Sequence, residues 1–184
     1  MLNIGDIEAF LAETQVITTL LKPVAELGID DCWIGAGLVR NAVWDKLHGY
    51  PIQPLVGSDV DVIYCNYTDT TRERDVGIER RLSCVLPAIP WSVRNQARMY
   101  ERNGDPPYEN CEDAIRYWPE TATAIAARLH EGQVQVIAPL GVGDLVNMLV
   151  RPSPAFARKI DVYERRLAAK DWAKRWPRLK FVGP

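Results

Sequence analysis

The chain has 184 residues, enough for one compact hydrophobic core but too few for two full-sized domains, so we predict a single domain over residues 1–184. Hydrophobic residues make up 47% of the chain and charged residues 25%, which excludes a disordered or fibrous protein. The formal net charge of -2 provides no global positive field, so we expect no long nucleic acid as a partner.

The cysteines and the first residues both indicate a cytoplasmic protein. The four cysteines form no Cys-x-x-Cys pair, and with only two histidines in the chain a structural zinc site is not expected. The segment MLNIGDIEAFLAET lacks the basic start and the apolar core of a signal peptide, and no long apolar run follows it. We therefore expect reduced thiols and no membrane partner.

Taken in chain order, the first half predicts helix, strand, helix and strand. The segment DIEAFLAETQVITTLLKPVAELG has helical spacing, with Asp6 as the predicted cap and Gly28 as the stop. DCWIGAG is a short apolar run ended by glycines, and LVRNAVWDKLHG returns to helical spacing. After the loop YPIQPLVG, the segment SDVDVIYC alternates apolar with other residues, which is typical of a strand.

The second half predicts shorter elements. A helix in TDTTRERDVGIERRLSCVLPAIP ends before Pro87, and WSVRNQARM is a predicted strand with Trp91, Val93 and Asn95 on one face. A short helix follows at 110–117.

Further along, Glu131 and Gly132 indicate the turn of a hairpin, and GVGDLVNMLVRP contains another short helix. We predict one long terminal helix capped by Ser153, with Pro154 in its first turn.

Asp59 and Asp61 are two residues apart in the predicted strand, so both carboxylates project from one face. A surface facing water and a divalent cation both explain such a pair, because burying a lone carboxylate costs several kcal/mol or more. The glycine turn before the second helix also has two interpretations. Backbone N–H groups at a helix start suit a phosphate, but glycines also form plain tight turns.

This order of strand, glycine turn, helix and Asp-x-Asp strand resembles the core of the DNA polymerase beta-like nucleotidyltransferase superfamily. The likeness is closer to a bacterial nucleotidyltransferase-like family, over most of residues 30–176. It rests on the segments GAGLVRNAVWDKLHG, DVDVIY, WSVRNQARMY, DAIRYWPETATAIAARL and VIAPLGVGDLVNMLVRP. The resemblance implies an α+β fold, in which helices flank a mixed central sheet and a long helix ends the chain.

For the site, the resemblance implies that Gly35, Ala36 and Gly37 bind the triphosphate of a nucleoside triphosphate and that Asp59 and Asp61 bind Mg²⁺ or Mn²⁺. Magnesium commonly takes one or two carboxylates together with phosphate oxygens and waters. The implied function is Mg-dependent transfer of a nucleotidyl group to an unknown small-molecule or protein acceptor.

The chain departs from the superfamily pattern at the third carboxylate, which many members carry on a later strand. The matching segment WSVRNQAR has no acid, and Asn95 is the residue expected in its place. An amide oxygen can bind a hard cation but cannot act as a general base. Glu120 and Asp144 are acids that the fold could bring to the site. An alternative function is a catalytically inactive nucleotide-binding or interaction module, whereas the acidic balance disfavours an antitoxin-like or tRNA-handling role.

Three arginines are candidate phosphate ligands, because the planar guanidinium matches phosphate oxygens. Arg40 lies in the first turn of the helix behind the glycines, and Arg94 and Arg98 flank Asn95. Each could instead form a structural ion pair. Residues 158–180 also carry nine basic side chains against three acidic ones. This segment could contact an anion, although interleaved charges usually indicate a solvated helix face.

Overall fold

The computed structural model describes residues 2–55 and 59–183, and a five-stranded mixed sheet lies at its centre. The strands are Cys32–Gly35 (β1), Val60–Tyr64 (β2), Trp91–Asn95 (β3), Ala126–His130 (β4) and Gln133–Ile137 (β5). Their order across the sheet is β3-β2-β1-β4-β5, with β2 and β3 parallel and the other neighbours antiparallel. The predicted α+β class with a mixed central sheet is confirmed.

The helices of the described residues surround this sheet. They are Ile4–Glu13 (α1), Gln15–Ala25 (α2), Gly37–His48 (α3), Arg72–Val85 (α4), Met99–Asn103 (α5), Cys111–Arg116 (α6), Gly143–Val146 (α7), Ile160–Ala168 (α8) and Trp172–Arg175 (α9). Two short strands, Leu149–Val150 (β6) and Lys180–Phe181 (β7), pair in parallel as a second sheet. None of these helices is long and apolar enough to cross a membrane.

Alternation along β2 separates two faces of the sheet, as predicted from the sequence. One face belongs to the main hydrophobic core, and its β2 residues are fully buried: Val60, Val62 and Tyr64. The other face carries Asp61 and Ile63. Ile63 packs in a smaller apolar cluster with Trp33 of β1 and with α6. We call this the second face, and the candidate site lies on it.

The predicted hairpin is confirmed between β4 and β5. Glu131 and Gly132 both have positive φ, 49° and 76°, which is the conformation that a two-residue turn of the type I′ class requires. The helices predicted before Pro87 and at 110–117 are also present, as α4 and α6.

The first predicted helix is in fact two helices. Thr14 has an extended conformation, with φ -91° and ψ 102°, and separates α1 from α2. Its hydroxyl donates to the carbonyl of Phe10 at 2.7 Å, a local bond that competes with a continuous helix. The cap also differs from the prediction. Asn3 caps α1, and Asp6 accepts a hydrogen bond from the backbone nitrogen of Asn3.

The prediction of one long terminal helix capped by Ser153 is wrong. Ser153 is fully buried, and its backbone carbonyl accepts hydrogen bonds from Phe156 and Ala157 in a set of turns. Its hydroxyl has no hydrogen-bond partner within residues 2–55 and 59–183, so it caps no helix. The chain becomes helical only at Ile160, and α8 is nine residues long.

Asp45 of α3 attaches the end of the chain to the core. This carboxylate is 1% exposed and accepts hydrogen bonds from Nε1 of Trp176 at 2.9 Å and from Nη2 of Arg175 at 3.0 Å. The Trp176 ring packs edge-on against Trp44 of α3, with ring centroids 5.1 Å apart. Burial of Asp45 is therefore compensated by groups that come from the last helix.

We predict that Asp45→Ala destabilises the protein by about 3 kcal/mol or more, because it removes the acceptor of hydrogen bonds from Arg175, Trp176 and the backbone nitrogen of Gln53 and leaves the buried indole N–H of Trp176 unsatisfied. Urea unfolding of the variant and the wild type measures this difference. Asp161→Ala is the matched control, since Asp161 pairs with Arg165 where both side chains are about three-quarters exposed. The control should change the free energy of unfolding by less than about 1 kcal/mol. Equal effects of the two substitutions would contradict the anchoring role.

Candidate active site

The turn between β1 and α3 requires a small residue at its centre. Ala36 has φ 34° and ψ -95°, a conformation that residues with side chains rarely adopt. Its N–H donates to the carbonyl of Ile125 at 2.9 Å, and its carbonyl accepts the N–H of Arg40 at 2.9 Å. These two bonds hold the strained backbone in place at the start of the helix.

The Trp118 ring leaves no space for a side chain at position 35, so this position requires glycine. The sequence did not indicate this contact. A Cβ placed on Gly35 would lie 2.4 Å from Cη2 of Trp118. The indole therefore lies against the strand end where any side chain would stand. Trp118 lies two residues after the end of α6 and packs against the smaller apolar cluster of the second face.

Asp59 and Asp61 stand at the start of β2, as predicted, while Ser58 lies outside the described residues. Asp59 is exposed and Asp61 is half-buried on the second face. Burial and then the negative charge of Asp59 raise the pKa of Asp61 to about 6, although a hydrogen bond from Ser92 opposes the shift. Ser92 is the residue of β3 that pairs with Asp61 in the parallel register.

A cleft of about 240 Å³ opens beside Asp61. The turn residue Ala36 and the Trp118 ring line it, and two guanidinium groups reach it, from Arg94 on β3 and Arg166 on α8. The structure thus brings together Ala36, Asp61 and Arg94 as the sequence predicted. It adds Trp118 and Arg166, whose positions depend on contacts between distant parts of the chain.

The structure does not bring Asn95 to the aspartates, contrary to the expectation from the sequence. Asn95 pairs with Tyr64 and faces the main core, fully buried, on the side of the sheet opposite Asp61. Its Oδ1 accepts hydrogen bonds from the backbone nitrogens of Asn66 at 3.0 Å and Ala97 at 3.1 Å. The amide therefore holds the loop after β2, and Ser92 is the β3 residue beside Asp61.

All three candidate arginines have structural partners, and that of Arg94 is Glu79, whose Oε1 lies 3.3 Å from its Nη1. Arg40 is 6% exposed and donates from Nη2 to Oδ1 of Asn41 at 2.8 Å. Its guanidinium lies 4.4 Å from the ring centroid of Trp172, and burial lowers its pKa to about 10. Arg98 pairs with Asp75, which is 1% exposed. Of the three, only Arg94 is a lining residue of the cleft.

The two acids left open by the sequence have their own partners. Glu120, fully buried, accepts a hydrogen bond from Nε of Arg166 at 2.6 Å. Asp144 accepts one from the hydroxyl of Thr121 at 2.6 Å and pairs with Arg151 at 2.9 Å. Within residues 2–55 and 59–183, no group of three or more histidine, cysteine or acidic side chains is arranged to hold a metal ion.

The arrangement of a small-residue turn and paired aspartates agrees with the family comparison. A family model described as nucleotidyltransferase matches residues 22–181. The chain belongs to this nucleotidyltransferase family. Among solved structures, one described as an NMR structure that reveals a CCA-adding enzyme head domain is 30% identical, with a TM-score of 0.85. The alignment covers 99% of this chain and 97% of that one. No curated protein matches the chain.

Longer enzymes share the nucleotidyltransferase fold at low sequence identity. A Thermotoga maritima CCA-adding enzyme complexed with tRNA is 14% identical, with a TM-score of 0.57. A CCA-adding enzyme in complex with CTP is 11% identical, with a TM-score of 0.59. Each alignment covers 98% of this chain, which spans 42% and 43% of the two enzymes. These likenesses establish the fold alone.

We predict that Asp61→Asn stabilises the protein at pH 8 and has little effect at pH 4. The pKa of Asp61 is higher in the folded protein, about 6, than the ordinary value of 3.8, so ionisation costs stability as the pH rises from about 4 to 6. The gain at pH 8 has an upper bound on the order of 3 kcal/mol. Unfolding curves of both proteins at the two pH values measure it. A gain of equal size at pH 4 would contradict the assigned cause.

Proposed function

We propose that the chain binds a nucleoside triphosphate with Mg²⁺ and transfers its nucleotidyl group to a hydroxyl of a small-molecule or protein acceptor. The observation that carries the proposal is the cleft in which Asp61, the turn at Ala36 and two arginine side chains meet. The helix start at this turn favours a phosphate, because its N–H groups lie at the positive end of the α3 dipole.

The aspartate pair fits a divalent cation. Burial raises the pKa of Asp61, the charge of Asp59 raises it further, and a bound cation would compensate both effects. Carboxylate oxygens are the ligands that Mg²⁺ prefers, and two of them suffice when phosphate oxygens and waters complete the shell. When bound, the cation stabilises negative charge on the phosphate oxygens and lowers the pKa of the attacking hydroxyl.

The other cleft residues would orient the nucleotide. The guanidinium of Arg94, whose Nη1 donates to Glu79 and to the Val93 carbonyl, offers its other nitrogens to phosphate oxygens, and the Trp118 ring offers an apolar surface for a base. In the transfer, the acceptor oxygen forms a bond to the α-phosphorus while the bond to the pyrophosphate oxygen breaks. The hydroxyl proton goes to solvent, since Ser92, the β3 residue beside Asp61, is not a base.

A second candidate function is a nucleotide-binding module without turnover. The neutral Ser92 beside Asp61, together with Asn95 on the opposite face, favours this alternative. A third carboxylate would hold a second cation and could accept the proton. The alternative thus keeps nucleotide binding and loses the chemical step.

One experiment separates these functions. The four nucleoside triphosphates are titrated with and without Mg²⁺, and the melting temperature and pyrophosphate release are followed in the presence of a small-molecule and protein extract as the acceptor source. Stabilisation with pyrophosphate release supports the transferase. Stabilisation without release under these conditions supports the module. The absence of stabilisation by every triphosphate would contradict both.

For the metal, we predict that Mn²⁺ broadens backbone resonances at residues 35–40 and 59–62 of the wild type. Asp61→Ala should abolish the broadening and retain the fold, because it removes one of two repelling carboxylates. Two-dimensional amide spectra of the two proteins, recorded at increasing Mn²⁺, measure the effect. The same broadening in Asp61→Ala would show that the cation binds elsewhere.

For the turn, we predict that Gly37→Val weakens triphosphate binding by more than about tenfold, or about 1.4 kcal/mol. Gly37 is the first residue of α3, and its backbone must approach the phosphates closely. Calorimetric titration and thermal unfolding separate a folded variant with lost affinity from an unfolded one. Ala36→Gly is the control. It relieves the positive φ at Ala36 and should retain affinity. Unchanged affinity of Gly37→Val would place the phosphates elsewhere.

A further inference from the structure

Arg166 of α8 reaches the cleft from a buried ion pair. Its Nε donates to Oε1 of Glu120 at 2.6 Å, and its Nη2 lies 3.5 Å from the second carboxylate oxygen. Glu120 is 0% exposed, so its charge depends on this guanidinium for compensation. The Arg166 side chain itself remains 34% exposed and lines the cleft with Asp61. One edge of the guanidinium therefore binds Glu120, and Nη1 makes no hydrogen bond within residues 2–55 and 59–183.

The helix that carries Arg166 is held in place by contacts of the residues that precede the pair. Tyr163, one turn earlier, is 2% exposed and packs into the protein. Lys159, just before α8, donates from Nζ to the carbonyl of Asn103 at 3.0 Å and pairs with Asp105 at 3.4 Å. These contacts fix the helix relative to the cleft, so Arg166 needs little reorganisation to bind a ligand there.

We propose that Arg166, positioned by Glu120, binds the phosphate groups of the nucleoside triphosphate. This inference rests on the proposed function and names a residue of its phosphate site. Phosphates next to Asp59 and Asp61 are repelled by both carboxylates, so positive side chains are needed in addition to the cation. Arg94 and Arg166 line the cleft, whereas Arg40 and Arg98 do not.

The test compares ligands that differ only in phosphate number. Arg166→Lys keeps a positive charge beside Glu120 but loses the planar fork, so the buried carboxylate stays compensated. Calorimetric titration with Mg²⁺ is carried out for the best-bound triphosphate, its monophosphate and its nucleoside. We expect the triphosphate affinity to fall by about tenfold. The monophosphate should lose less, and the nucleoside nothing.

Two further variants make the result independent of folding. The double variant Glu120→Gln with Arg166→Gln removes both charges of the pair, and it should show the same dependence on phosphate number. Arg165→Lys, on the neighbouring exposed position, is the matched control and should bind as the wild type. A triphosphate affinity unchanged in both Arg166 variants, or an equal loss for the nucleoside, would overturn the inference. A wild type that binds no triphosphate would instead overturn the proposed function.

Discussion

The two buried carboxylates of Asp45 and Glu120 constrain the rest of the structure. They are 1% and 0% exposed, and each is compensated by an arginine from the C-terminal part of the chain. An isolated charge in such surroundings costs several kcal/mol, so neither position is stable without its partner. The helices α8 and α9 are therefore integral to the domain, because they carry the arginines that neutralise Glu120 and Asp45.

This constraint also determines how charge is distributed around the cleft. Strand β2 contributes Asp61, with Asp59 just before the strand, and α8 contributes Arg166 to the same cleft. A nucleotide bound with its cation carries both signs of charge, so it can interact favourably with the aspartates and with Arg166 at the same time. Membership in the nucleotidyltransferase family and the fold agree with such a ligand. The acceptor is a separate matter, because one scaffold serves many acceptors.

The parts of the fold that the sequence predicted correctly are those with local causes. The alternation of side chains between the two faces of β2 and the hairpin turn at Glu131 and Gly132 are determined by residues that are neighbours in the sequence. The prediction of one continuous first helix failed because Thr14 interrupts it through a side-chain hydrogen bond. The prediction of a helix cap at Ser153 failed because tertiary packing buries that residue.

The site was predictable only in part for the same reason. The sequence correctly predicted that Trp91, Val93 and Asn95 share one face of β3. Which face of β3 lies beside Asp61 depends on the register between β2 and β3, and that register places Ser92 there. Trp118 and Arg166 reach the cleft from segments far along the chain, and no local sequence pattern predicts such contacts.

The parallel register between β2 and β3 has an evolutionary consequence. Ser92 already stands beside Asp61, so two-acid and three-acid versions of this site differ by one side chain and require no rearrangement of the backbone. A third carboxylate beside Asp61 therefore requires the change of a single codon.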